Sequence, residues 1–228
     1  MSQISLNFIA ISVFLMTFSI LLGPLINLSP TIPALTTLTV LSVASIDSFI
    51  CHSQGSKLVL DGIANFSPKH RERIIHHEAG HFLVAYLLGF QVLNYTLTAW
   101  EAWRQKEPGQ GGVTVDDRQL FNELDERTLD THIFDRYCTI CMAGIVAEKL
   151  VFQDVMGGLD DRQKLAKVLQ VSGFPESAYL QKQRFHSLQA QNLLQENWSA
   201  YQGLVDAMGK RLSVSECIQT IEVYLPQK

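Results

Sequence analysis

The sequence predicts a mostly α-helical domain with a small β-hairpin, preceded by one or two N-terminal transmembrane helices. Three observations lead there. Residues 4–28 hold no charged side chain and are dominated by Ile, Leu, Phe, Val and Met. From Ser67 onward, apolar residues recur at helical spacing in several long runs, the first of which carries His77-Glu78-Ala79-Gly80-His81. Between those runs, two short segments alternate polar and apolar residues as strands do.

In chain order, the uncharged run at 4–28 is long enough to cross about 30 Å of hydrocarbon. The first lysine is Lys57, so the positive n-region of a cleaved signal peptide is missing and a retained anchor is expected. Residues 31–50 form a second candidate, either a span or a membrane-associated amphipathic helix. Pro33 opens it, Thr and Ser dilute it, and Asp47 lies near its end. Lys57, Lys69, Arg71 and Arg73 follow the apolar region, which places what comes after on the cytoplasmic side, or on the equivalent stromal or matrix side. The chain thus divides into an anchor at 1–56 and one domain at 57–228, large enough for a single core.

That domain opens on a helix. Ser67 is an N-cap, Pro68 suits the first helical position, and Gly89 is the stop signal. Ile74, Ile75 and the run from Phe82 to Leu88 cover nearly every face, which marks a buried helix. Its charged first turns and modest apolar length favour a core helix over a span. Residues four apart stand on one helix face, so His77 and His81 can direct two imidazoles at one ion. Glu78 follows the first histidine, where a carboxylate serves zinc hydrolases as general base. The plain alternative is a buried helix whose histidines only hydrogen-bond. His76 points about 100° away and is expected to be a bystander.

Zinc needs a third protein ligand, and the residues leave three candidates. Asp160 and Asp161 begin an amphipathic stretch at 160–171, where a carboxylate is stabilised at a helix start. One of them can cap that helix while the other binds metal. Glu148 is the third, as some zinc peptidases draw a Glu from a following helix. Ala143, Gly144 and Ala147 leave one side of their helix almost bare, ready for close approach by the histidine helix. The strands are expected at 94–98 and 112–116. The connection at 99–111 is rich in turn formers and carries Trp100 and Trp103. These tryptophans can face substrate, anchor at a membrane interface, or cover a local apolar surface.

Taken together, His77-Glu78-Ala79-Gly80-His81, the run from Ala143 to Phe152 and the loop Gly157-Gly158-Leu159-Asp160-Asp161 resemble the peptidase domain of the FtsH family of membrane-bound zinc proteases. The resemblance covers the chain from Ser67 onward, and its motifs are specific only in these two regions. It implies zinc held by His77, His81 and Asp161, with Asp160 as runner-up, Glu148 in a supporting position and Glu78 as general base. It also implies that residues 112–115 form an edge strand beside the metal to which an extended peptide adds. The loop departs from the family at Met156, Leu159 and Arg162. No G-x-x-x-x-G-K-[ST] phosphate loop occurs, and the domain leaves no room for the ATPase module of the family. The expectation is a membrane-anchored, ATP-independent zinc endopeptidase acting on peptide or protein substrates, as a homo-oligomer or beside an ATPase-bearing protease. The alternative is a non-catalytic FtsH-like membrane scaffold for such a protease. A metallohydrolase acting on something other than peptides is a third reading.

The remaining composition excludes more than it adds. A formal net charge of -4 gives no support to nucleic-acid binding. Four cysteines make no disulfide framework, and Cys138 with Cys141 falls in a helical run where packing explains both. From Ser187 the pattern is helical, Ser213 is expected to cap a last short helix, and this tail resembles the C-terminal helical pair of the same family.

Overall fold

The computed structural model describes residues 3–23, 29, 31–32, 34–39, 67–105, 112–126 and 130–225. It is mostly helical, with one two-stranded antiparallel sheet. α1 spans Gln3–Leu22 and exposes Ile11, Phe14, Phe18 and Leu21. Among the described residues no helix is long and apolar enough to cross a membrane. Of the span expected at 4–28, α1 covers the part up to Leu22, and residues 24–28 lie outside the described residues. Of the second candidate, helical backbone appears at 31–32 and 34–39, and residues 33 and 40–50 lie outside the described residues.

α2 (Pro68–Leu87) begins where expected, with Ser67 extended at the cap position and Pro68 in the first turn, but the Ser67 side chain makes no cap bond. Gly89, at φ 78°, ends it. There the Gly89 N–H donates to the Tyr86 carbonyl at 3.0 Å and the Phe90 N–H to the Ala85 carbonyl at 2.9 Å, so two otherwise orphaned carbonyls are satisfied. β1 (Val92–Thr96) and β2 (Gly112–Val115) then pair antiparallel, with Tyr95 opposite Val113 and Thr96 opposite Gly112.

Between the strands lies a helix where a turn-rich connection was expected. α3 (Ala99–Gln105) contains no Gly or Pro. Its start is held by Thr98 Oγ1, which accepts from Glu101 N–H at 3.1 Å, while Glu101 Oε2 accepts from Leu97 N–H at 2.8 Å. The turn formers all come later, at residues 106–111, outside the described residues. Trp100 and Trp103 stack with ring centroids 4.9 Å apart, and both are more than half exposed.

α4 (Arg118–Glu126) buries Leu120 completely. α5 (Thr131–Phe152) starts on Asp130, whose carboxylate accepts from His132 N–H at 2.8 Å. α6 (Leu159–Val171), α7 (Tyr179–Glu196), α8 (Trp198–Gly209) and α9 (Val214–Tyr224) complete the chain. As expected, Ser213 caps α9, reciprocally with Glu216.

α5 is the shared wall of two apolar clusters. On one side, its Ile140, Ala143 and Ala147 join Phe82 and Leu83 of α2, Leu194 of α7, and Tyr201, Leu204 and Met208 of α8. On the other, Phe134 and Met142 join Leu120, Leu165 and Leu169. Each fully buried side chain of this size contributes roughly 1.5–3 kcal/mol, so α5 is fixed from both sides. The bare flank of α5 meets α2 as expected. A methyl group on Gly80 would lie 2.7 Å from Ala147 Cβ and 2.8 Å from the Ala143 carbonyl oxygen, so only glycine permits this approach.

One polar group inside the helical packing is unbalanced. His186 is fully buried, and its Nδ1 lies 3.1 Å from Thr139 Oγ1. The Thr139 hydroxyl donates to the Asp135 carbonyl at 2.8 Å, so His186 Nδ1 carries the hydrogen and donates. His186 Nε2 has no hydrogen-bond partner among the described residues. Burial pushes this imidazole down to about 4. In the unfolded chain it titrates near about 6.5. Between those values the unfolded state takes up a proton that the native state refuses. Stability is therefore full above the unfolded value and falls with pH below it, by up to about 1.4 kcal/mol per pH unit. Urea unfolding of metal-free protein at pH 7 and pH 5 should show a smaller acid loss for His186→Phe than for the wild type. Equal losses in the two proteins would contradict this origin.

Candidate metal centre

Three side chains from two helices converge beside α5. His77 and His81, one turn apart on α2, direct their Nε2 atoms to within 3.1 Å of each other. Asp161, in the first turn of α6, places Oδ2 at 3.0 Å from His77 Nε2 and Oδ1 at 3.3 Å from His81 Nε2. One ligand atom from each lies within 4.8 Å of the others, so the group can hold a metal ion. His81 and Asp161 are buried and the His77 side chain is only 12% exposed.

The outer nitrogens decide which atoms face the centre. His81 Nδ1 donates to the Ile140 carbonyl at 2.7 Å, and since that oxygen can only accept, Nε2 keeps its lone pair. His77 Nδ1 lies 2.8 Å from Glu148 Oε1, a carboxylate that orients the ring in the same way. Glu148 is fully engaged. Its Oε2 accepts from Met156 N–H at 3.0 Å and from Arg73 at 3.2 Å, and Arg73 is itself pinned to Asp154 at 2.8 Å. Gly144 on α5 makes room for the rings, because a methyl group there would fall 2.4 Å from both Nε2 atoms.

The electrostatics call for a cation. Burial works against a charge on His77, yet bonds to Asp161 and Glu148 outweigh it and raise the imidazole to about 10. Burial likewise opposes ionisation of Asp161, but the two imidazoles hold its carboxyl well below the ordinary range. In the metal-free protein a proton on His77 therefore balances the cluster, and a divalent ion entering between the three groups displaces it. Neutral imidazole nitrogens and a carboxylate oxygen make the N,N,O donor set of catalytic zinc sites, which leave further positions open to solvent.

Glu78 completes the cleft. Its Oε2 accepts from Val113 N–H at 3.0 Å, which ties the carboxylate to β2. A cavity of about 470 Å³ opens over the centre, lined by Glu78, Thr96, Val113, Ile140, Met156 and Leu159 among others.

The residues anticipated from the sequence are sorted by this geometry. His77, His81 and Asp161 come together, and Glu78 faces the same cleft. Asp160 is exposed and lines the same cavity, but it is not one of the three converging donors. It does not cap α6 either, since Gly158 at φ 84° holds the cap position without a side-chain bond. Glu148 binds the far side of His77. His76 turns away to Tyr201, with Nδ1 2.8 Å from the phenol oxygen. Neither Trp100 nor Trp103 lines the cleft. Sequence reasoning missed Arg73, Gly144 as the space for the rings, and the Ile140 carbonyl. Arg73 left a signal in standing one helical turn before His77, and Gly144 left one in the bare flank of its helix, while the Ile140 carbonyl left none. Compared with known proteins, the chain matches no protein-family model and no curated protein.

Zinc content after dialysis should separate these carboxylates. Asp161→Asn should lower retention by at least about tenfold, since a neutral amide is a poor zinc donor. Asp160→Asn should leave it intact, and Glu148→Gln should fall between, about 10-fold or more being usual when an orienting partner is lost. Full retention by Asp161→Asn would remove it from the centre.

Proposed function

We propose that this chain is a membrane-anchored zinc endopeptidase of the FtsH type, hydrolysing peptide bonds without an ATP site of its own. The observation that carries this reading is the position of Glu78. Its carboxylate shares the cleft with the three converging donors and is held by one oxygen, Oε2, at the backbone of β2. The other oxygen is left for proton transfer. A scaffold has no use for a base in that place, which favours catalysis over the non-catalytic alternative.

The ligands are His77 Nε2, His81 Nε2 and Asp161. Zinc, when bound, supplies Lewis acidity that acidifies a water and polarises a carbonyl. Glu78 Oε1 accepts the proton of the attacking water and returns it to the departing amine. Glu148 and the Ile140 carbonyl keep both imidazoles in the tautomer that offers Nε2. An extended polypeptide lying beside β2 fits the cleft, and backbone recognition of that kind tolerates varied side chains. The uncharged run at 4–28 supports an anchor, and the basic residues after it support a catalytic part on the cytoplasmic, stromal or matrix side. A homo-oligomer or an ATPase-bearing partner protease remains part of this proposal.

Glu78→Gln tests the reading. The variant should retain zinc while hydrolysis of an unfolded protein falls by at least about a hundredfold, the scale of a lost general base. Undiminished hydrolysis in that variant would remove Glu78 from the mechanism.

A further inference from the structure

A second cavity, of about 730 Å³, lies on the other flank of the N-terminal half of α2. Its walls come from α2, α8 and the residues after β1. It shares Leu97 and Thr98 with the cavity over the metal centre, so these two residues form the common border of the two spaces. The border is also where β2 begins, because Gly112 pairs with Thr96. A chain lying along β2 in the metal cleft would thus come, at its Gly112 end, beside the border of the second cavity.

The lining suits a polar polypeptide segment. Arg71, Glu72, Gln202 and Asp206 face it, with Ile75 and Val205 between them. All four polar side chains are exposed, and none makes a side-chain hydrogen bond or ion pair with another described residue. They offer donors and acceptors of both signs over an apolar floor, the requirement for a peptide backbone with hydrophilic side chains. The border is also fixed in place. Glu101 Oε2 accepts from Leu97 N–H at 2.8 Å and from Arg211 at 2.9 Å, tying the turn after β1 to the segment that follows α8. Tyr95 on β1 donates to the Leu212 carbonyl beside it.

We infer that the second cavity is a remote subsite for the same substrate. It binds a hydrophilic stretch of extended polypeptide a few residues from the scissile bond, on the Gly112 side of the cleft. The inference rests on the peptidase reading for the identity of its occupant. Its physical consequence is a length requirement: a peptide reaching both cavities binds by two linked contacts and holds better than either half alone.

The test uses the full chain carrying Glu78→Gln, so that binding is read without turnover, and three fluorescent peptides with a common core. One is just long enough for the metal cleft, and the other two carry a hydrophilic extension at one end or the other. Fluorescence anisotropy should show extension at one end tightening binding about tenfold or more, with little gain at the other. Gly209→Phe then fills the cavity. The Cβ added there meets Ile75 Cδ1 at 3.9 Å, an ordinary contact, so the substitution starts without a backbone clash. In that variant, and independently in Gln202→Trp, the affinity ratio of long to short peptide should collapse towards one. Equal affinities for long and short peptides, or an unchanged ratio in both filled variants, overturns the subsite. Retained length dependence without any hydrolysis by the Glu78-bearing chain would sink the peptidase reading and leave the subsite standing.

Discussion

Everything in the site depends on how closely α2 can approach α5. Gly80 lets the backbones meet, with Ala143 and Ala147 across from it, and Gly144 leaves the space that the two imidazoles occupy. From that approach follow the reach of His77 to Glu148 and of His81 to the Ile140 carbonyl, and so the direction of both Nε2 lone pairs. α6 then adds a carboxylate between them. A methyl group at Gly144 would occupy the position of the ligand nitrogens themselves, so packing and chemistry are one constraint here.

The charge balance points the same way. Asp161, Glu148 and Glu78 stand close together, with Arg73 the guanidinium bonded among them. Placing carboxylates in a poorly solvated site is unfavourable unless cations accompany them. In the metal-free protein the histidine proton fills that role, which is why His77 holds it to about 10 despite burial. A divalent metal does the same with more charge. The hairpin joins this arrangement through the bond from Val113 N–H to Glu78, which sets that carboxylate beside the strand rather than among the three converging donors.

What the sequence made legible was local. His77, Glu78 and His81 lie within two turns of one helix, where periodicity alone fixes which side chains share a face. The bare flank of α5 and the cap at Ser213 were readable for the same reason. Choosing between Asp160 and Asp161 was not a local matter. Adjacent residues in a first helical turn point about 100° apart, and which one faces inward is set by how α6 packs on α5 from the turn at Gly158. The role of Glu148 rests on a contact 71 residues away in sequence, and that of Arg73 on one 75 residues away. No periodicity reports such pairings. α3 was misread because its turn-rich neighbours at 106–111 coloured the whole connection, while the capping pair Thr98 and Glu101 marked a helix start.

The most direct measurement is X-ray absorption at the zinc edge on the loaded full-length protein. Two imidazole nitrogens and a carboxylate oxygen, at about 2.0–2.2 Å with one further light atom, are the predicted first shell. Sulfur at about 2.3 Å, or a shell without imidazole scattering, would contradict a centre built on His77, His81 and Asp161.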